Sequence, residues 1–179
     1  MGFNIFSNGI KVTMADMLQA RENRTILQTK LLRANPQSVL ISLTLNIPGP
    51  VKNVAILKEV FDVLYNEIIA SIDEDQLCSS RFYHRKTGSE LFILSFGNPA
   101  EIKHEMIKIE NTNIFGRLAD LDVLYLKNEK FVVTSRKDFN IDPRKCYLCG
   151  NDAKVCGRSR KHSFDEIQQA ISRIILHAI

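Results

Sequence analysis

Apolar positions along this chain follow two rhythms, and the switches between them outline the fold. Met17, Leu18, Leu27, Leu31 and Leu32 recur at helical spacing. Thr13 with Asp16 three residues on is a capping pattern, so a helix over 14–34 is predicted with those residues as its inner face. Asn35-Pro36 ends it, because the residue before proline avoids helical geometry. Residues 39–47 are β-branched and leucine-rich, which predicts a strand covered on both faces. Pro48-Gly49-Pro50 breaks the chain, and Val54, Leu57, Phe61, Leu64 and Ile68 predict a helix over 51–71.

Beyond it, 81–86 and 90–96 flank Thr87-Gly88-Ser89 as a hairpin. Pro99 opens a helix through Ile102, Met106 and Ile109, at the first-turn position proline tolerates. A second hairpin is predicted from 118–126 and 131–135 around Lys127-Asn128. Ser163 with Glu166 is a full capping box for a last helix carrying Ile167, Ile171, Ile174 and Ile175. Mixed helices and paired strands predict an α+β fold: one mostly antiparallel sheet with flanking helices gathered on one side. With 179 residues and no composition break, one domain over 1–179 is expected, with a loop-rich, cysteine-bearing appendage at 140–162 and a terminal helix at 163–177.

Composition narrows the function classes. Apolar residues make up 45% and charged residues 25%, as in an ordinary soluble protein with a real core. The longest apolar runs are too short to span a bilayer, and the start lacks the basic flank and apolar stretch of a secretory signal. Phe6 stands where myristoylation after Gly2 prefers Ser or Thr. A cytoplasmic protein with no membrane partner is the expectation. The net charge of +4 is modest, Trp is absent and no aromatic ladder accompanies the cluster Arg144, Lys145, Arg158, Arg160, Lys161. That cluster reads as a solvated surface, and no nucleic-acid partner is expected. Cys78 stands alone and reads as a small core residue.

Four segments carry candidate chemistry. In 116–124, Asp120 and Asp122 are two apart on a predicted strand and so share a face. Two adjacent carboxylates either sit solvated at a sheet edge or hold a divalent cation, and Mg²⁺ takes carboxylates, water and phosphates together. Glu110 is a third carboxylate that only folding can bring near. The second segment, 46–52, is a strand-to-helix turn whose free N–H groups and Lys52 suit a phosphate, or which is simply a rigid turn. In Ser135-Arg136-Lys137-Asp138, Arg136 either clamps a polyphosphate or pairs with Asp138 at the surface. Last, Cys146, Cys149, Cys156 and His162 make a zinc-type set, a redox Cys-x-x-Cys or packed thiols.

Taken in order, the segments resemble the apo-citrate lyase phosphoribosyl-dephospho-CoA transferases, also called citrate lyase holo-acyl-carrier-protein synthases. The resemblance rests on Pro48-Gly49-Pro50 with Lys52, Gly116-Arg117-Leu118 with Asp120 and Asp122, and Ser135-Arg136-Lys137-Asp138. It continues through Pro143-Arg144-x-Cys146-x-Leu148-Cys149 and Cys156-x-Arg158-x-x-x-His162. It departs at Lys137, where the family pattern carries a second arginine.

The resemblance implies a nucleotidyltransferase-like active strand. It also implies transfer from 2′-(5″-triphosphoribosyl)-3′-dephospho-CoA to a serine of the apo-citrate lyase acyl carrier protein (γ subunit), releasing pyrophosphate. It implies catalytic roles for Arg117, Asp120 and Asp122, the two aspartates with Mg²⁺, and donor contacts from Gly49, Lys52, Arg136 and Arg158. A structural Zn²⁺ on Cys146, Cys149, Cys156 and His162 is the fourth expectation. Two alternatives stand beside this: the same chemistry on another carrier, of malonate decarboxylase type, and a zinc-containing nucleic-acid-binding module.

Overall fold

The computed structural model describes residues 3–178, so the reading made at Met1 and Gly2 lies outside the described residues. Five strands form one antiparallel sheet in the order β2-β3-β1-β4-β5. They are β1 (Val39–Leu45), β2 (Leu77–Arg85), β3 (Gly88–Ser95), β4 (Ala119–Lys127) and β5 (Lys130–Thr134). Five helices are described: α1 (Met14–Ala34), α2 (Leu57–Ala70), α3 (Pro99–Thr112), α4 (Ala153–Ser159) and α5 (Phe164–Leu176). Every pairing is antiparallel, so the sheet has no parallel component.

β1 lies at the centre, buried on both faces as its composition predicts. On one face Val39, Ile41 and Leu43 pack with Phe61, Leu64 and Ile68 of α2, Met106 and Ile109 of α3, and Ile171 and Ile175 of α5. On the other, Leu40, Phe92, Leu94 and Leu124 pack against Leu31 and Leu32 of α1. Helices therefore cover both faces, not one. A strand apolar on both sides needs two covers, and α1 supplies the second.

The capping boxes at Thr13–Asp16 and Ser163–Glu166 both form. The hairpin turn between β4 and β5 takes positive φ at Asn128 (50°) and Glu129 (62°), the geometry that matches strand twist. Four further expectations change. α2 begins at Leu57 rather than 51, because Val51 makes a β-bridge to Lys11 and the Val12 N–H donates to the Pro50 carbonyl. Leu18 is exposed on α1, whose apolar contact with the sheet is made by Leu27, Leu31 and Leu32 near its C-terminal end. Cys78 is exposed, not core, at a bulge in β2 where the pairing register shifts between Leu77 and Ser79. The 140–162 appendage contains α4, seven residues capped by the Asp152 side chain on the N–H groups of Lys154 and Val155.

Candidate functional site

Asp120 and Asp122 project from β4 on the face that α1 covers. Their cross-strand partners are Thr44 and Ser42, and those in turn face Glu90 and Phe92 on β3. Toward its second half the same face is apolar, under Leu31 and Leu32. Toward the middle of α1 it is polar: Gln28 donates to Ser42 at 3.1 Å, and Arg24 pairs with the buried Glu90 at 2.7 Å.

The site forms where β5 stops. β5 pairs with β4 from Lys127 back to Val123 and goes no further, so the outer edge of β4 at Leu121 has no strand beside it. Side chains of α3 take over the ladder. Lys103 Nζ donates to the Leu121 carbonyl at 2.6 Å, and the Leu121 N–H donates to Glu110 Oε1 at 3.0 Å. Gly116 lets this happen, since a Cβ there would stand 2.2 Å from the Ile109 carbonyl and β4 could not enter so close to α3.

Glu110 is almost wholly enclosed and joins two guanidinium groups. Arg136, in the turn after β5, reaches its Oε2 at 2.5 Å, and Arg144 pairs with Oε1. Arg144 also donates to the Ala119 carbonyl and lies 3.8 Å from Asp120. Arg144 is thus drawn out of the surface cluster in which its sequence neighbours place it, and Arg136 pairs with Glu110 rather than with Asp138. Asp138 instead closes a capping box with Ser135. Glu110 does join the aspartates, but as an occupied acceptor: N–H and guanidinium donors engage both of its oxygens.

These groups line a cleft of about 560 Å³. Its five cationic side chains and four acidic ones leave it close to neutral while Asp120 and Asp122 are ionised. Burial against the cleft walls, then the neighbouring Asp120 charge, raises the pKa of Asp122, although its surface still meets water. Burial lowers the pKa of Lys103, with the carboxylates of Glu110, Asp122 and Asp120 opposing that shift and Arg144 adding to it.

The other predicted residues are not part of the cleft lining. Lys52 turns back on its own loop and donates to the Ile47 carbonyl at 2.6 Å; burial, then Arg21, lowers its pKa. Because α2 starts five residues later, no helix N-terminus stands at Lys52. Gly49, at φ +91°, packs against Gln168 of α5, whose amide donates to the Pro48 carbonyl at 2.9 Å. Arg117 stacks on Tyr147, 4.2 Å from the ring centroid, and donates to the Lys145 carbonyl. Arg158 is exposed on α4.

The ligand atoms of Cys146, Cys149, Cys156 and His162 all lie within 4.8 Å of one another. Tetrahedral Zn–S bonds of ~2.3 Å put sulfurs about 3.8 Å apart, so the set fits a four-coordinate ion. Burial pushes the Cys146 thiol up, but N–H groups of Leu148 and Cys149 aimed at its sulfur outweigh this and leave its pKa lowered. Cys156, the buried one, is raised to about 11 by desolvation and the neighbouring thiols. The cluster is tied to the cleft by backbone: Ala153 N–H donates to the Arg144 carbonyl and Cys146 N–H to that of Asn151, both at 2.8 Å.

Sequence reading passed over Lys103. Its signal was present, since Lys103, Met106 and Glu110 follow one another at helical spacing along the buried face of α3. An ionisable residue inside an apolar stripe needs a partner, and the partner here is a strand edge.

A family model described as apo-citrate lyase phosphoribosyl-dephospho-CoA transferase matches residues 12–178. A probable apo-citrate lyase phosphoribosyl-dephospho-CoA transferase of Streptococcus pyogenes serotype M3 is 39% identical over 170 residues, covering 95% of this chain and 88% of the relative. The apo-citrate lyase phosphoribosyl-dephospho-CoA transferase of Escherichia coli O9:H4 is 29% identical over 167 residues, covering 92% of this chain and 88% of its own. A longer protein of Leuconostoc mesenteroides, named CitXG, is 33% identical over 171 residues, 95% of this chain but 36% of that protein. Among the described residues no helix is long and apolar enough to cross a membrane. The match spans β1, the aspartate strand, the Arg136 turn and the cysteine cluster together, and the chain belongs to the apo-citrate lyase phosphoribosyl-dephospho-CoA transferase family.

Proposed function

We propose that the cleft transfers the phosphoribosyl-dephospho-CoA prosthetic group from its 5″-triphosphate donor to a serine of the apo-citrate lyase acyl carrier protein. The observation that carries the reading is Asp120 and Asp122 on one strand face in a cleft walled by Lys103, Arg136 and Arg144. The serine oxygen bonds to the α-phosphorus, the bond from that phosphorus to the bridging oxygen breaks, and pyrophosphate carries the electron pair away. The hydroxyl proton passes to water or to the departing pyrophosphate. Such transfer needs positioning and charge stabilisation rather than a covalent enzyme intermediate.

Asp120 and Asp122 would hold Mg²⁺, which supplies charge neutralisation at the reacting phosphates. With those two carboxylates neutralised, the remaining lining is strongly cationic, as a triphosphate requires. Arg136 and Arg144 keep fixed positions because Glu110 holds both, so they present charge without having to reorganise. Cys146, Cys149, Cys156 and His162 would hold a structural Zn²⁺, whose role would be to tie the appendage together rather than to take part in the transfer.

The test is an incubation of the protein with apo-carrier, triphosphate donor and Mg²⁺, read by intact-protein mass. The carrier should gain the mass of one prosthetic group with one pyrophosphate released. A carrier of unchanged mass, alongside a malonate decarboxylase-type carrier that does gain it, would redirect the reading to that acceptor.

A further inference from the structure

Lys103 is a buried residue, 5% exposed, whose ammonium lines the cleft. An ammonium has three N–H donors. One goes to the Leu121 carbonyl, and among the described residues no carboxylate lies in salt-bridge range of Nζ. Its neighbours in the cleft differ: Arg136 and Arg144 are both paired with Glu110, while Lys137 is solvent-exposed on the rim. Burying an ammonium with donors to spare is costly unless something in the cleft accepts them.

The position of Lys103 is also fixed. It is anchored to the main chain of β4 at the residue between Asp120 and Asp122, so its charge stands beside the aspartate pair. A charge held there meets the anionic oxygens of whatever those carboxylates bind through a cation.

Resting on the transferase reading above, we infer that Lys103 is a ligand of the donor's polyphosphate, binding the oxygens that depart as pyrophosphate. The Leu121 carbonyl holds the ammonium in place, and the two remaining N–H donors go to the phosphate. Lys103 thereby stabilises charge that grows on the leaving group as the bond to the α-phosphorus breaks.

Pyrophosphate with Mg²⁺ is the probe, measured by calorimetry on the full chain. Wild-type protein binds it, and Lys103→Met, which keeps the aliphatic stem and removes the charge, weakens binding about 10- to 100-fold. Lys103→Arg recovers part of the loss. Mn²⁺ affinity, read by its electron paramagnetic resonance signal, changes less than the pyrophosphate affinity in Lys103→Met. A purely structural lysine would leave pyrophosphate affinity unchanged in the folded variant, and that result overturns the inference alone. Absence of pyrophosphate binding in wild type would remove the polyphosphate cleft itself. A crystal structure of wild-type protein with pyrophosphate decides the matter even where Lys103→Met does not fold: Nζ lies within about 3.2 Å of a phosphate oxygen, or the assignment is wrong.

Discussion

Arg136 reaches Glu110 at 2.5 Å and so fastens the turn after β5 to the buried face of α3. The two partners are not equivalent in mutation. Glu110 also serves Arg144 and the Leu121 N–H, so Glu110→Ala takes the buried carboxylate from two guanidinium groups and leaves a strand-edge donor without its acceptor. Breaking a buried pair from the acidic side should cost about 3–5 kcal/mol. Arg136→Ala leaves Glu110 with Arg144 still in place and should cost less in stability while raising the KM for the donor. Urea unfolding of the two variants beside donor kinetics checks this. Equal destabilisation by both would mean the network is not centred on Glu110.

Asp120→Asn and Asp122→Asn should each abolish transfer, by roughly 10³-fold or more, in a chain that still folds. Near-normal turnover in both would end the metal assignment.

Asp122 makes a second, opposite forecast for stability. Its folded pKa is raised, by burial first and Asp120 second, so the native state binds its proton more tightly than the unfolded chain does. The favourable contribution is present below the unfolded carboxylate pKa and is lost as pH rises through the folded one. At neutral pH the ionised group is therefore a burden, and Asp122→Asn should raise the melting temperature there. That gain should shrink on acidification through the carboxylate range. A melting temperature that falls at pH 7 in Asp122→Asn would show that the carboxylate is needed for the fold.

Much of this layout was legible in the chain. Thr13–Asp16 and Ser163–Glu166 fixed helix starts because capping is a local transaction between residues three apart. The alternation around Asp120 and Asp122 gave their shared face for the same reason. Residues 51–56 misled because Val51, Val54 and Leu57 mimic a helical stripe, whereas the contacts that keep Val51 extended come from Lys11 and Val12, about forty residues away. The Glu110 junction was out of reach for the same cause. Its partners Arg136 and Arg144 lie in later segments, and only the early end of β5 brings them to one strand edge. Cys78 looked like core because most lone cysteines are, but a bulge at an edge strand turned it outward.

Arg117 joins the sheet to the appendage through its stack on Tyr147 and its bond to the Lys145 carbonyl, while the Tyr147 hydroxyl donates to the Arg117 carbonyl at 3.2 Å. Lysine cannot reproduce a planar group that stacks and donates at once. Arg117→Lys should loosen residues 143–162 by about 1–2 kcal/mol with the sheet unaffected. Hydrogen exchange followed by mass spectrometry should show faster exchange confined to that segment. Uniformly faster exchange, or none, would break the link between Arg117 and the docking of the appendage.

The cysteine cluster yields the last forecast. The appendage has few apolar side chains to hold it, and of its cysteines only Cys156 is buried. Cys146 and Cys149 lie on a loop, Cys156 on α4 and His162 just before α5, so one ion would tie three separate pieces of chain. Protein purified without chelator should contain about one equivalent of zinc. Alanine at any of the four positions should lower zinc content and melting temperature together, because metal binding and local folding are one equilibrium. Arg144 sits two residues before Cys146, and its carbonyl is held by the Ala153 N–H, so metal loss should also free the guanidinium that lines the cleft. Chelation should therefore reduce transfer at temperatures where the sheet remains folded, with recovery on adding zinc. Less than about a tenth of an equivalent of zinc, with the Cys146→Ala variant as stable as wild type, would mean that the thiols are only packed together.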